Sequence, residues 1–232
     1  MNGQENGSTV TLSLGHTALA SLAVIVAAIG GMLMTWLCLD WSIGYTDRSL
    51  YFTLGTLAGT TTGGGAMALV LRRRDPLSYL GLTTTQPRML VLGALAGLGL
   101  AALFGLARWL VSGNPAAEDW TATYLATAHS PVLLVLAAFV AIPLLEECLF
   151  RGLLHRGLAA TRLGANGTIC VTALLFMIIQ SPDDLIGAFQ SLALGVLLGV
   201  LRVRAGTIGP GLIVRVIDGV FAVSAAAAFA AT

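Results

Sequence analysis

A chain of 232 residues that is 56% hydrophobic and only 10% charged, with a mean hydropathy of +0.88, has too little polar surface to coat a water-soluble globule. The net charge is +1 and every basic residue is arginine, which argues against a basic surface for nucleic acid and leaves an integral membrane protein. Cys38, Cys148 and Cys170 are scattered without CxxC spacing and read as small buried hydrophobes.

Taken in chain order, apolar stretches of the length needed to cross a ~30 Å hydrocarbon core fall near 17–39, 51–71, 89–111, 131–150, 168–181, 186–203 and 207–231, the fifth being short. The expected fold is all-α: a polytopic transmembrane helical bundle of about seven spans (six to eight). Residues 1–16 form an N-terminal tail and 17–76 the first spans. The first span has no Arg or Lys before it, too long an apolar core for a secretory signal and no small-residue cleavage site after it, so it is expected to stay in the mature chain.

Basic residues stay on the cytoplasmic side. Arg72, Arg73, Arg74 and Arg88 follow the second span; Arg151, Arg156 and Arg162 follow the fourth; Arg202 and Arg204 follow the sixth. The alternate loops carry Asp40 and Asp47, Glu118 and Asp119, and Asp183 and Asp184, with Arg48 as their one basic residue. A multi-pass protein of a bacterial cytoplasmic membrane is expected, N-terminus inside and C-terminus outside. Trp36, Trp41, Trp109 and Trp120 lie near span ends, as interface anchors do.

Glycines four apart recur at Gly55, Gly59 and Gly63, at Gly93 and Gly97, and at Gly195 and Gly199, a spacing that lets membrane helices approach closely. The segment DPLSYLGLTTTQPR, near 75–88, has Pro near both ends and alternates apolar with polar residues. It reads as a short interfacial piece on the cytoplasmic face.

Chemistry concentrates in AIPLLEECLFRG, Ala141 to Gly152. Ser130 and Pro131 make a helix start. Pro143 then removes the bond to Phe139 and favours a kink just before the charges. Glu147 and Arg151 fall one turn apart in the favourable order. Glu146 points about 100° away and has no built-in partner. One reading is a span end whose charges snorkel to water; the other is a site, because ionisable groups at membrane depth usually face a bundle interior.

Glu-Glu-x-x-x-Arg at the end of a kinked span resembles the first motif of the CAAX protease and bacteriocin-processing (abortive-infection) family, intramembrane endopeptidases that include the type II CAAX prenyl proteases. The resemblance runs from about Leu77 to Ala222, so 77–232 is expected to form the protease-like domain. The family's second motif, Phe-x-x-x-His, appears as Phe176 with Gln180 at the histidine. The third, a histidine five residues after a proline with Asn or Asp three to four further on, appears as Pro210, Arg215 and Asp218.

The resemblance implies that Glu146 activates a water for attack on a peptide bond near the cytoplasmic side, with Glu147 and Arg151 as a supporting pair. Gln180, Arg215 and Asp218 complete the expected site. Gln180 can hold a water but cannot move a proton. Arg215 cannot act as a base, yet a fixed cation suits an oxyanion or a carboxylate; Arg215 and Asp218, three apart on one helix, can equally neutralise each other.

No cofactor and no metal are expected. Catalytic zinc takes three protein ligands, and His16, His129 and His155 all lie near span ends without HExxH spacing. A cysteine nucleophile at Cys148 lacks an activating base, and His155 and Arg156 are expected to face the headgroups. The implied partners are a peptide or membrane-protein substrate and the lipid bilayer, with no nucleic acid. An impaired pseudoprotease that binds a partner is the alternative, motivated by the two replaced histidines; a transporter lined by Glu, Arg and Asp is a third.

Overall fold

The computed structural model describes residues 13–43, 48–72, 75–113, 130–180, 182 and 184–230. Among them are eight helices and no strand: α1 (Leu14–Ile43), α2 (Arg48–Val70), α3 (Pro76–Leu80), α4 (Pro87–Ser112), α5 (131–159), α6 (Gly164–Gln180), α7 (Leu185–Ala205) and α8 (Gly209–Ala230). Asp47, Arg73, Arg74, Glu118, Asp119, Trp120, His129 and Asp183 lie outside the described residues, as do the side chains of Asp40, Trp41 and Arg48.

By length and composition, Leu14–Leu39, Pro87–Ser112, Val132–Ala159 and Leu185–Ala205 can each cross a membrane. α6 is apolar but only 17 residues long. α2 is diluted by its TTTGGG run, and α8 carries Arg215 and Asp218. The architecture is an all-α polytopic bundle.

Local sequence explains the helix ends. Pro76, Pro87 and Pro131 occupy first helical turns, where a missing N–H is harmless. Asp184 caps α7 by accepting from the Gly187 N–H. Gly206 ends α7 at φ 71°, a left-handed conformation that glycine adopts without cost.

The fourth apolar stretch differs most from its sequence reading. It does not end near Leu149 or Phe150: the helix runs on to Ala159, so Arg151 and Arg156 lie inside α5 and not in a loop. Two wide turns interrupt it, Ala137–Ala141 and Cys148–Leu154, in which N–H groups reach carbonyls five residues back (Ile142 to Ala137, His155 to Phe150). The first directly precedes Pro143, whose ring and missing N–H disturb the preceding turn of a regular helix. An apolar window locates such a helix but cannot see its charged, buried continuation.

The glycine spacings mark real contacts. A Cβ at Gly59 would stand 2.7 Å from the Ala28 carbonyl oxygen, at Gly93 2.9 Å from that of Pro210, and at Gly195 2.9 Å from Ala173 Cα. These positions let α2 close on α1, α4 on α8 and α7 on α6. Trp36 donates from Nε1 to the Tyr51 carbonyl oxygen at 2.9 Å, so it pins α1 to α2 where an interface anchor was expected; Trp109 is exposed.

α5 runs against α1, α2, α3, α6, α7 and α8. Its Phe150 and Leu153 join Phe176, Leu194, Leu198 and Val214 in the core. The 75–88 segment is partly drawn into the bundle. Tyr79 and Leu80 are buried, and Gly152 leaves room for Leu80. Arg156 donates to the Ser78 and Tyr79 carbonyl oxygens at 3.2 and 3.0 Å and stacks on the Tyr79 ring. Neither Arg156 nor the buried His155 therefore turns freely outward, as the sequence reading had it.

Candidate active site

Two ion pairs project from adjacent positions on α5. Behind lies Glu147 with Arg151: their exposures are 1% and 0%, and Arg151 Nη1 stands 3.5 Å from Glu147 Oε1. A buried charge is tolerated only when paired and hydrogen-bonded. Arg151 Nη2 donates to the Gly195 carbonyl oxygen of α7 at 3.1 Å, a contact that the close α6–α7 approach at Gly195 helps to place. Its guanidinium also lies 4.8 Å from the Phe176 ring centre and 5.5 Å from that of Phe150. Those two rings meet edge to face at 5.7 Å.

Room for Glu147 comes from α8. A Cβ at Gly211 would stand 2.5 Å from Glu147 Oε2, so no other residue fits there without displacing the carboxylate. Arg151 is the nearest opposite charge, with Arg215 and Arg202 at longer range, and neither Glu147 oxygen has a hydrogen-bond partner among the described residues.

In front lies Glu146. It is not the unpartnered carboxylate that helical spacing along α5 alone gives: Arg215 Nη2 donates to its Oε2 at 2.6 Å, with side-chain exposures of 12% and 16%. The residue in the histidine position therefore supplies the missing partner. Arg215 also stacks on Phe176 at 5.3 Å, so one ring carries two guanidiniums. Arg215 Nε is buried without a hydrogen-bond partner.

Of the six expected residues, four thus meet around Phe176. Asp218 accepts from Gln190 Nε2 of α7 at 3.3 Å, a neighbour that nothing in the sequence singled out. Gln180, the half-buried last residue of α6, lies one turn beyond Phe176, and its side chain makes no hydrogen bond or ion pair with another described residue. Gly211, Gln190 and Phe150 escaped sequence reasoning; the one available signal was Gly211 itself, next to Pro210. Among the described residues, no three His, Cys, Asp or Glu side chains converge as metal ligands do.

Residues 128–218 match the family model described as type II CAAX prenyl endopeptidase Rce1-like. This stretch is similar to the Rce1-like family. It holds all six expected residues and runs from just before α5 into α8. In comparisons with curated proteins and with solved structures, nothing matches. The Rce1-like family is a family of proteases, and both ion pairs lie within the matched segment.

Proposed function

We propose that the chain is an intramembrane endopeptidase in which Glu146 activates water and Arg215 receives the oxyanion. The observation that carries this reading is the division of labour between the pairs. Glu147–Arg151 is sealed, while Glu146–Arg215 is partly open, with side-chain exposures of 16% and 12%. A substrate carbonyl that approaches the partly exposed Arg215 draws the guanidinium toward itself and frees Glu146. Water then attacks the carbonyl carbon as Glu146 takes its proton, and the new oxyanion is held by Arg215. When the carbon–nitrogen bond breaks, Glu146 returns the proton to the leaving amine. Gln180 orients the water by hydrogen bonding, and Asp218 holds its place on α8 through Gln190. The substrate is a peptide or a membrane-protein segment, cut near the cytoplasmic side.

One observation favours a second reading, a non-catalytic membrane protein that binds a peptide at the same place. Glu146 must leave a 2.6 Å ion pair before it can accept a proton. A panel of fluorogenic peptides offered to the protein in proteoliposomes separates the two. Cleavage by the parent that disappears in Glu146→Gln supports the endopeptidase. A silent parent, with cleavage appearing in the double variant Gln180→His/Arg215→His, supports the binding protein instead.

A further inference from the structure

The second wide turn of α5 leaves a carbonyl to be accounted for. In a regular helix the His155 N–H would go to Arg151, four residues back; here it goes to Phe150. The Arg151 carbonyl oxygen instead accepts from Arg202 Nε of α7 at 2.8 Å. The same guanidinium donates from Nη1 to the Gly206 carbonyl oxygen at the end of its own helix. It also fills the space over Gly81, where a Cβ would stand 2.6 Å from Nη1. Gly81 in turn accepts from the Ile208 N–H at 3.0 Å, just before α8 begins. One side chain therefore ties together the wide turn of α5, the end of α3 and the α7–α8 turn.

We propose that Arg202 is a positioning residue for the active site: by holding the Arg151 carbonyl it keeps α5 wide at Cys148–Leu154 and so fixes how the Glu147–Arg151 pair sits beneath Glu146. Released, that carbonyl is available to the His155 N–H. The bulge then rewinds, turning the end of α5 by about 100° relative to Glu147 and lifting Arg156 off the α3 carbonyls.

The consequence for catalysis rests on the endopeptidase reading; the geometric claim does not, and the experiment keeps them apart. Hydrogen–deuterium exchange of the full chain in micelles is followed in peptides covering 148–156, with α4 peptides as the folding control. Arg202→Met keeps the bulk and removes every donor. Arg202→Gln keeps an N–H at the place of Nε, and Arg202→Lys keeps the charge without that donor. Losing a charge-assisted hydrogen bond predicts exchange about tenfold faster in Arg202→Met, with Arg202→Gln within about twofold of the parent and Arg202→Lys near Arg202→Met. Unchanged exchange in Arg202→Met, or protection restored by Lys and not by Gln, overturns the proposal. If α4 also loses protection in Arg202→Met, the Gln and Lys variants decide. On any peptide that the parent cleaves, Arg202→Met is expected to lower kcat with KM little changed; a parent that cleaves nothing defeats the catalytic reading alone.

Discussion

Arg215 and Glu146, 69 residues apart in sequence, stand 2.6 Å apart, closer than the 3.5 Å between Arg151 and Glu147, which are neighbours on one helix. Geometry explains the order. Arg151 divides its guanidinium among Glu147, the Gly195 carbonyl and two aromatic rings, whereas Arg215 aims one amino group at a single carboxylate.

Removing Arg215 should therefore destabilise the protein as well as alter its chemistry. Arg215→Ala leaves Glu146 mostly buried and unpaired, at a cost of about 1–3 kcal/mol, read as a lowered unfolding midpoint in micelles. The double variant Glu146→Gln/Arg215→Gln should recover most of that loss, because neither charge is then stranded.

The sealed pair should respond more strongly. Glu147→Gln strands Arg151 in the core and should cost about 3–5 kcal/mol. Adding Arg151→Met should restore a good part, giving a coupling energy in a double-mutant cycle. Simple additivity would show that the 3.5 Å contact is incidental.

Phe176 supports both guanidiniums at once. Phe176→Leu keeps an apolar group but removes the ring face, and should cost about 1–3 kcal/mol, allowing about 0.5–1 kcal/mol or more for each cation contact. The same substitution made together with Arg215→Ala should cost less than the sum, which thermal unfolding of the four proteins checks.

Close helix contacts give a local test of packing. Gly195→Ala puts a methyl group 2.9 Å from Ala173 Cα and should cost about 1–3 kcal/mol by overpacking. Gly64→Ala meets nothing within 4 Å and should be neutral or stabilising by up to about 1 kcal/mol through helix propensity. Denaturant midpoints of the two should move in opposite directions or, at the least, only the first should fall.

Asp184 provides a pH test outside the spans. The Gly187 N–H, and then Arg108 at 2.8 Å, hold its carboxyl below the usual value. A depressed acid contributes stability above its unfolded value of about 4 and loses it as pH falls through its folded value. Asp184→Ala should thus cost about 0.5–2 kcal/mol at neutral pH, and its difference from the parent should shrink below about pH 4. A difference independent of pH would mean that the cap acts without its charge.

The sequence by itself determined the apolar character, the helices and where ionisable residues gather within them. Apolar windows report transfer into lipid, which is local, and a four-residue spacing of glycines reports a helix face. Glu147 and Arg151 were likewise legible as a pair, because helical geometry links residues four apart. The tertiary structure decided what lies across the gap. It carried α5 past Arg151 with its charges buried, gave Glu146 a cation from α8, placed Gly211 beneath Glu147 and brought Arg202 to a carbonyl of α5. Each of these depends on which faces of separate helices meet, and burial of charge is favourable only once a partner from elsewhere in the chain has arrived to replace water.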